Sequence, residues 1–144
     1  MIEQDTVRLL RECDAGVKMG ISSIDDVMDT VRAEDMKTML SRCKAEHEKL
    51  DREIRDALNR FQDEGKEPNP MASFMSEMKT SMKLAMKESD ATIADLMTDG
   101  CNMGVKSLTK YLNKYKAADE ASKDITKRLI HLEEQLAIDL RPYL

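Results

Sequence analysis

Apolar residues recur every three or four positions through most of the chain, the spacing of one helix face. The first such stripe is Val7, Leu10, Val17, Ile21, Ile24, Met28 and Val31, which predicts a helix from about Gln4 to Val31. A short turn at Arg32 to Asp35 reverses the chain. The second stripe, Met36, Leu40, Cys43, His47, Leu50, Ile54, Leu58 and Phe61, predicts a helix from about Glu34 to Asp63, with Glu34 and Asp35 suited to its N-terminus. Glu64-Gly65-Lys66-Glu67-Pro68-Asn69-Pro70 then breaks the pattern with a helix-stopping glycine and two prolines. A Met-rich amphipathic stretch follows, from Met71 to Met86, and reads as a short extra helix. Ser89 and Asp90 are N-cap residues for a third long helix reaching about Lys116, with Ile93, Met97, Cys101, Val105, Leu108, Leu112 and Tyr115 as its seam. The stripe slips by one residue across Lys116 to Asp119, which marks a tight turn. Asp119 caps a fourth helix carrying Ile125, Leu129, Leu132, Leu136 and Leu140, and Pro142 ends it.

These elements describe an all-α single domain spanning residues 1–144: hairpin 1 over about 4–63, a crossover over 64–88, and hairpin 2 over about 89–141. Two antiparallel hairpins joined by a long crossover with a short extra helix form a four-helix bundle whose connection runs its length. Cys-x-x-Gly-Val-Lys occurs in the first helix of each hairpin, as Cys13, Gly16, Val17, Lys18 and as Cys101, Gly104, Val105, Lys106. That repeat hints at internal pseudo-symmetry. Interior glycines weaken a helix by about 1 kcal/mol each, so Gly16 and Gly20 are expected where a neighbouring helix comes close.

Composition narrows the function. The chain of 144 residues has 41 % apolar and 35 % charged residues, twelve methionines and no Trp, which favours helix over sheet. Its net charge of −5 is made of interspersed signs with no concentrated basic stripe, which argues against nucleic acid as a partner. No apolar run is long enough to span a membrane, and the acidic start lacks a signal-peptide core. Three cysteines without a Cys-x-x-Cys pair fit free thiols in a cytoplasmic protein. Cys13 and Cys43 differ in height by about 12 Å along the first hairpin, too far for a disulfide.

Arg11-Glu12-Cys13-Asp14-Ala15-Gly16, Lys44-Ala45-Glu46-His47-Glu48 and Asp99-Gly100-Cys101-Asn102-Met103-Gly104, with the connection from Glu64 to Glu88, resemble a ferritin-like, rubrerythrin-type bundle, in particular uncharacterised bacterial members of that superfamily. Metal-binding members use a Glu on each of two helices and a Glu-x-x-His on each of the other two, because residues i and i+3 share a helix face. Here the residue three before His47 is Lys44 and the residue three before His131 is Arg128. The resemblance therefore implies a relative without a di-iron centre, and no ferroxidase or peroxidase activity is carried over.

Several residues remain as candidates. His47 lies on the core stripe, and folding the hairpin about Arg32 puts Val17 opposite it, with Asp14 less than one helical turn away. The bland role is a core histidine satisfied by a carboxylate or carbonyl; the sharper one is an acid/base or metal site of Asp14, Glu46 and His47, with Glu12 nearby, holding iron or manganese. Lys44 is expected at the stripe's edge near Gly20, and His131 on the surface. Met75, Met78, Met82 and Met86 suit core filling, Cu(I) binding or self-association. The sequence thus points to a non-enzymatic interaction or scaffold domain with no catalytic residues and no cofactor, whose protein partner, or second copy in a dimer, docks through Met71 to Met86. The alternative is an atypical metal-binding oxidoreductase.

Overall fold

A computed structural model describes residues 2–63, 65 and 89–144. Within them stand four α-helices and no strand: α1 (Ile2–Met28), α2 (Glu34–Arg60), α3 (Asp90–Lys114) and α4 (Glu120–Leu140), with a 3-10 turn at Arg141–Tyr143. At 1.5 Å per residue these helices are about 32–40 Å long. The Met-rich stretch and the expected crossover helix lie outside the described residues.

Side-chain caps set several boundaries. Ser89 Oγ accepts from Thr92 N at 3.2 Å, and Asp119 Oδ1 accepts from Ser122 N at 2.8 Å. α1 stops three residues earlier than its stripe suggests, because the amides of Thr30 and Val31 both return to the Val27 carbonyl, as does the Thr30 hydroxyl. Val31 still packs into the core from the turn. α2 ends at Arg60, before Gly65; the left-handed residues that follow are Gln62, at φ 55°, and Gly65, at φ 87°.

Polar ties fix the direction of each helix. At one end of the bundle the Asp90 carboxylate, at the start of α3, accepts from Arg32 N at 2.8 Å and Ala33 N at 2.9 Å in the α1–α2 turn. At the other, Asp5 and Thr6 of α1 accept from Ala117 N and Asp119 N in the α3–α4 turn, at 3.0 and 2.8 Å. The order is therefore up, down, down, up. α2 finishes at one end and α3 begins at the other. α1 pairs with α2 and α3 with α4; α2 also packs on α4, and α1 on both α3 and α4. Among the described residues the backbones of α2 and α3 do not approach each other closely. The bundle is narrow along the α1–α4 diagonal and wide along the other, so the two hairpins are not symmetric mates.

Each helix turns a seam inward with alternating steps of four and three. On α1 it runs Cys13, Val17, Gly20, Ile24, Val27; on α2, Met36, Leu40, Cys43, His47, Leu50, Ile54; on α3, Ala94, Met97, Cys101, Gly104, Leu108; on α4, Ser122, Thr126, Leu129, Glu133, Leu136, Leu140. This is the heptad pattern of a packed helical seam. The apolar core falls into two clusters. One, near the α1–α2 turn, holds Ile24, Val27, Met36, Leu40, Ile93, Met97, Leu136 and Leu140. The other holds Leu10, Cys13, Val17, Leu50, Ile54, Leu108, Ile125 and Leu129. In every helix the seam residue between the clusters is not a large hydrophobe: Gly20, His47, Gly104 and Glu133 form a layer across the bundle.

Asp90 carries two charge-assisted bonds that hold the α1–α2 turn against α3. Asp90→Ala is expected to lower unfolding stability by about 2 kcal/mol. Asp90→Asn, which keeps one acceptor oxygen, should lose less. Urea denaturation of the three proteins measures both.

Candidate functional site

The middle layer is the chemically distinct part of the interior. His47 is fully buried, and Glu133 is 9 % exposed. His47 Nδ1 lies 2.8 Å from the Cys43 carbonyl oxygen, one turn back on α2, and Nε2 lies 2.8 Å from Glu133 Oε1 on α4. A carbonyl only accepts, so the hydrogen-bond network puts a hydrogen on Nδ1. One further proton then sits between Nε2 and Oε1, and the pair is neutral as a whole. Burial opposes charge on the imidazole, but hydrogen bonds to Cys43 and Glu133 outweigh it and push the His47 pKa up to about 10. At neutral pH the pair is an imidazolium on a carboxylate.

Gly20 makes room for that pair. A Cβ there would stand 2.7 Å from His47 Cδ2 and 2.8 Å from Nε2. The ring is anchored at both nitrogens and has no room to yield. Gly104 differs, since the atoms nearest to a Cβ there belong to Glu133, at 3.7 to 3.9 Å, an ordinary contact. Gly16 likewise meets Leu129 and Leu108 at 3.6 and 3.8 Å among the described residues. Close approach thus explains Gly20, but not Gly16.

Two thiols flank the pair. Cys43 Sγ is 3.6 Å from His47 Nδ1. Cys101 is buried, and burial together with the Glu133 carboxylate, to which it is hydrogen-bonded, pushes its thiol well up. Cys13 is elsewhere, its Sγ 3.1 Å from Thr126 Oγ1, and burial pushes its pKa up to about 12. All three are free cysteines. A cleft of about 60 Å³ opens between α1 and α3, with Gly16, Gly20, Cys101, Gly104, Tyr111 and Glu133 in its wall. That is room for a few waters, well below the volume of an organic cofactor site.

The expected Asp14–His47 contact is replaced by the Glu133–His47 pair. Gly20, not Val17, is the α1 residue against His47. Asp14 is buried further along, its Oδ2 2.9 Å from Lys18 Nζ, with the Gly65 backbone packed on its carboxylate. Glu46 is exposed on α2, and Glu12 is half-buried at the cleft. Lys44 turns out of the bundle, with Nζ 2.6 Å from Asp25 Oδ1, and His131 is exposed. Arg128 also faces outward, in a two-pronged bond to Glu53 at 2.7 and 2.9 Å. Among the described residues no group of three His, Cys, Asp or Glu side chains is placed to hold a metal ion. The Cys-x-x-Gly-Val-Lys copies also diverge in surroundings: Asp14 and Ala15 are buried, whereas their counterparts Asn102 and Met103 are exposed.

Two experiments probe the layer. Gly104→Ala should gain up to about 1 kcal/mol from helix propensity, whereas Gly20→Ala should lose stability despite the same gain; thermal unfolding compares them. His47→Leu alone strands a buried carboxylate and should cost about 3–5 kcal/mol, while His47→Leu with Glu133→Leu should recover most of that loss. In the unchanged protein the pair's stabilisation is whole below the free imidazole pKa of 6.5 and fades as pH rises through about 10. Urea midpoints across that window should fall in the wild type and lose this component in the double variant.

A family model described as a domain of unknown function (DUF2383) matches residues 5–114. That span takes in nearly all of α1 and the whole of α2 and α3, and so includes Gly20, Cys43, His47, Cys101 and Gly104; Glu133, on α4, lies beyond it. No curated protein matches the chain, and no solved structure does. No helix of the described residues is long and apolar enough to cross a membrane. With most of its length matched, the chain belongs to the DUF2383 family.

Proposed function

We propose that this chain is a ferritin-like bundle that works without a metal, as a non-enzymatic interaction or scaffold domain of the bacterial cytoplasm. One observation carries the reading. The middle of the bundle, where metal-binding bundles of this type converge their carboxylates and histidines, is filled by an internally neutral His47–Glu133 pair, with glycines at the two facing seam positions. Both ring nitrogens of His47 are committed to protein acceptors, which leaves no imidazole lone pair for a metal. The up, down, down, up order supports the ferritin-like likeness, since short loops alone would give alternating directions. Self-association, or binding of a protein partner through Met71 to Met86, completes the proposal; that segment lies outside the described residues.

Elemental analysis of protein purified without chelators is the test. Iron and manganese are expected well below one equivalent per chain. Stoichiometric iron or manganese that disappears when Asp14 and His47 are changed together would overturn the reading in favour of a metal-dependent oxidoreductase. Light scattering of the same preparation reports self-association.

A further inference from the structure

We propose that Cys43 is a nucleophilic thiol, set up by His47 and Glu133 to react with peroxides and other soft electrophiles. This goes beyond the metal-free reading and does not rest on it. Cys43 precedes His47 by one turn of α2, which places Sγ 3.6 Å from Nδ1. The other ring nitrogen is 2.8 Å from Glu133 Oε1. A thiol, an imidazole and a carboxylate therefore stand in sequence, the arrangement in which a third group orients the ring beside a nucleophile. The Nδ1 hydrogen lies among the Cys43 carbonyl oxygen at 2.8 Å and the sulfur, so it faces the negative charge that sulfur carries when it attacks. Glu133, buried on the far side, keeps the imidazole charged.

The other two cysteines lack these features. Cys13 is fully buried against Thr126, and Cys101 is buried beside the Glu133 carboxylate, where a second negative charge is disfavoured. Cys43 is partly exposed. The ionisable groups around it are His47 on its own helix, Cys101 on α3, Glu133 on α4 acting through the ring, and the neighbouring Lys44, which is tied to Asp25 of α1. With a hydroperoxide, sulfur attacks the terminal oxygen and the O–O bond breaks. The thiol becomes a sulfenic acid, and the peroxide is reduced to water or an alcohol once the departing oxygen takes up a proton.

The test uses the full chain, iodoacetamide, and peptide mass mapping of each cysteine over time. Cys43 should be alkylated at neutral pH about tenfold faster in the folded protein than in the same chain unfolded in urea, with Cys13 and Cys101 slower than in the unfolded chain. The folded-to-unfolded ratio should collapse in His47→Gln and Glu133→Gln, and narrow as pH approaches about 10, where His47 loses its charge. Hydrogen peroxide should add one oxygen at Cys43 first. A wild-type ratio at or below one overturns the proposal whether or not the variants fold. So does a ratio unchanged in folded His47→Gln protein, which would make Cys43 merely accessible.

Discussion

The contact between His47 and Glu133 governs how this bundle fits together. It joins α2 to α4 across the core at 2.8 Å, midway between two apolar clusters. A buried ion pair contributes little net folding energy, because desolvating both ions offsets their attraction. Its effect is on alternatives. If α2 slid against α4 by one turn, His47 would face Leu129 or Leu136 and Glu133 would face Cys43 or Leu50, leaving both charges unpaired at a cost of several kcal/mol. The apolar layers alone would tolerate such a slip far better, since they repeat with the same steps of four and three. One polar layer among repeating apolar ones selects a single register. The requirement extends to α1, where Gly20 is the residue small enough to lie against the ring.

Both ends of the bundle are tied by the same device, a carboxylate or hydroxyl of one hairpin accepting from the turn amides of the other. Asp90 does this for the α1–α2 turn, and Asp5 with Thr6 for the α3–α4 turn. These bonds leave few turn amides without a partner and fix which helix ends meet. The repeated Cys-x-x-Gly-Val-Lys motif does not produce equivalent sites, because the diagonals differ. α1 packs across the bundle on α4, and its Cys13 bonds Thr126 there. Its counterpart Cys101 meets Glu133 from the adjacent helix and faces Cys43 on the wider diagonal.

Much of this was legible in the residues. The four helices, the Ser89 and Asp119 caps, the inward position of His47 and the outward position of His131 follow from periodicity and capping chemistry. Glu133 did not, because a search for apolar stripes selects Leu132, a half-buried neighbour, in its place. The seam through Ser122, Thr126, Leu129, Glu133, Leu136 and Leu140 keeps its spacing only when polar residues are counted. Asp14 was set opposite His47 by folding the hairpin about Arg32. The non-helical residues 29–33 do not advance by 1.5 Å each, so that construction errs by about one turn, and Gly20 takes the place assigned to Val17.

The two cations upstream of the histidines have a different consequence from the one their spacing suggests. Lys44 and Arg128 do not enter the core in place of inward carboxylates. Each leaves the bundle for acids on a neighbouring helix, Asp25 and Glu53. In the middle layer stand one acid and one base, Glu133 and His47, with glycines at the other two seam positions. A site built to hold cations needs surplus negative charge and free lone pairs. Here the carboxylate is neutralised by the imidazolium, and the ring nitrogens both carry hydrogen. In this layer Nδ1 of His47 faces the Cys43 carbonyl at 2.8 Å with the Cys43 sulfur 3.6 Å away, and the proposed reactivity of that thiol rests on this geometry.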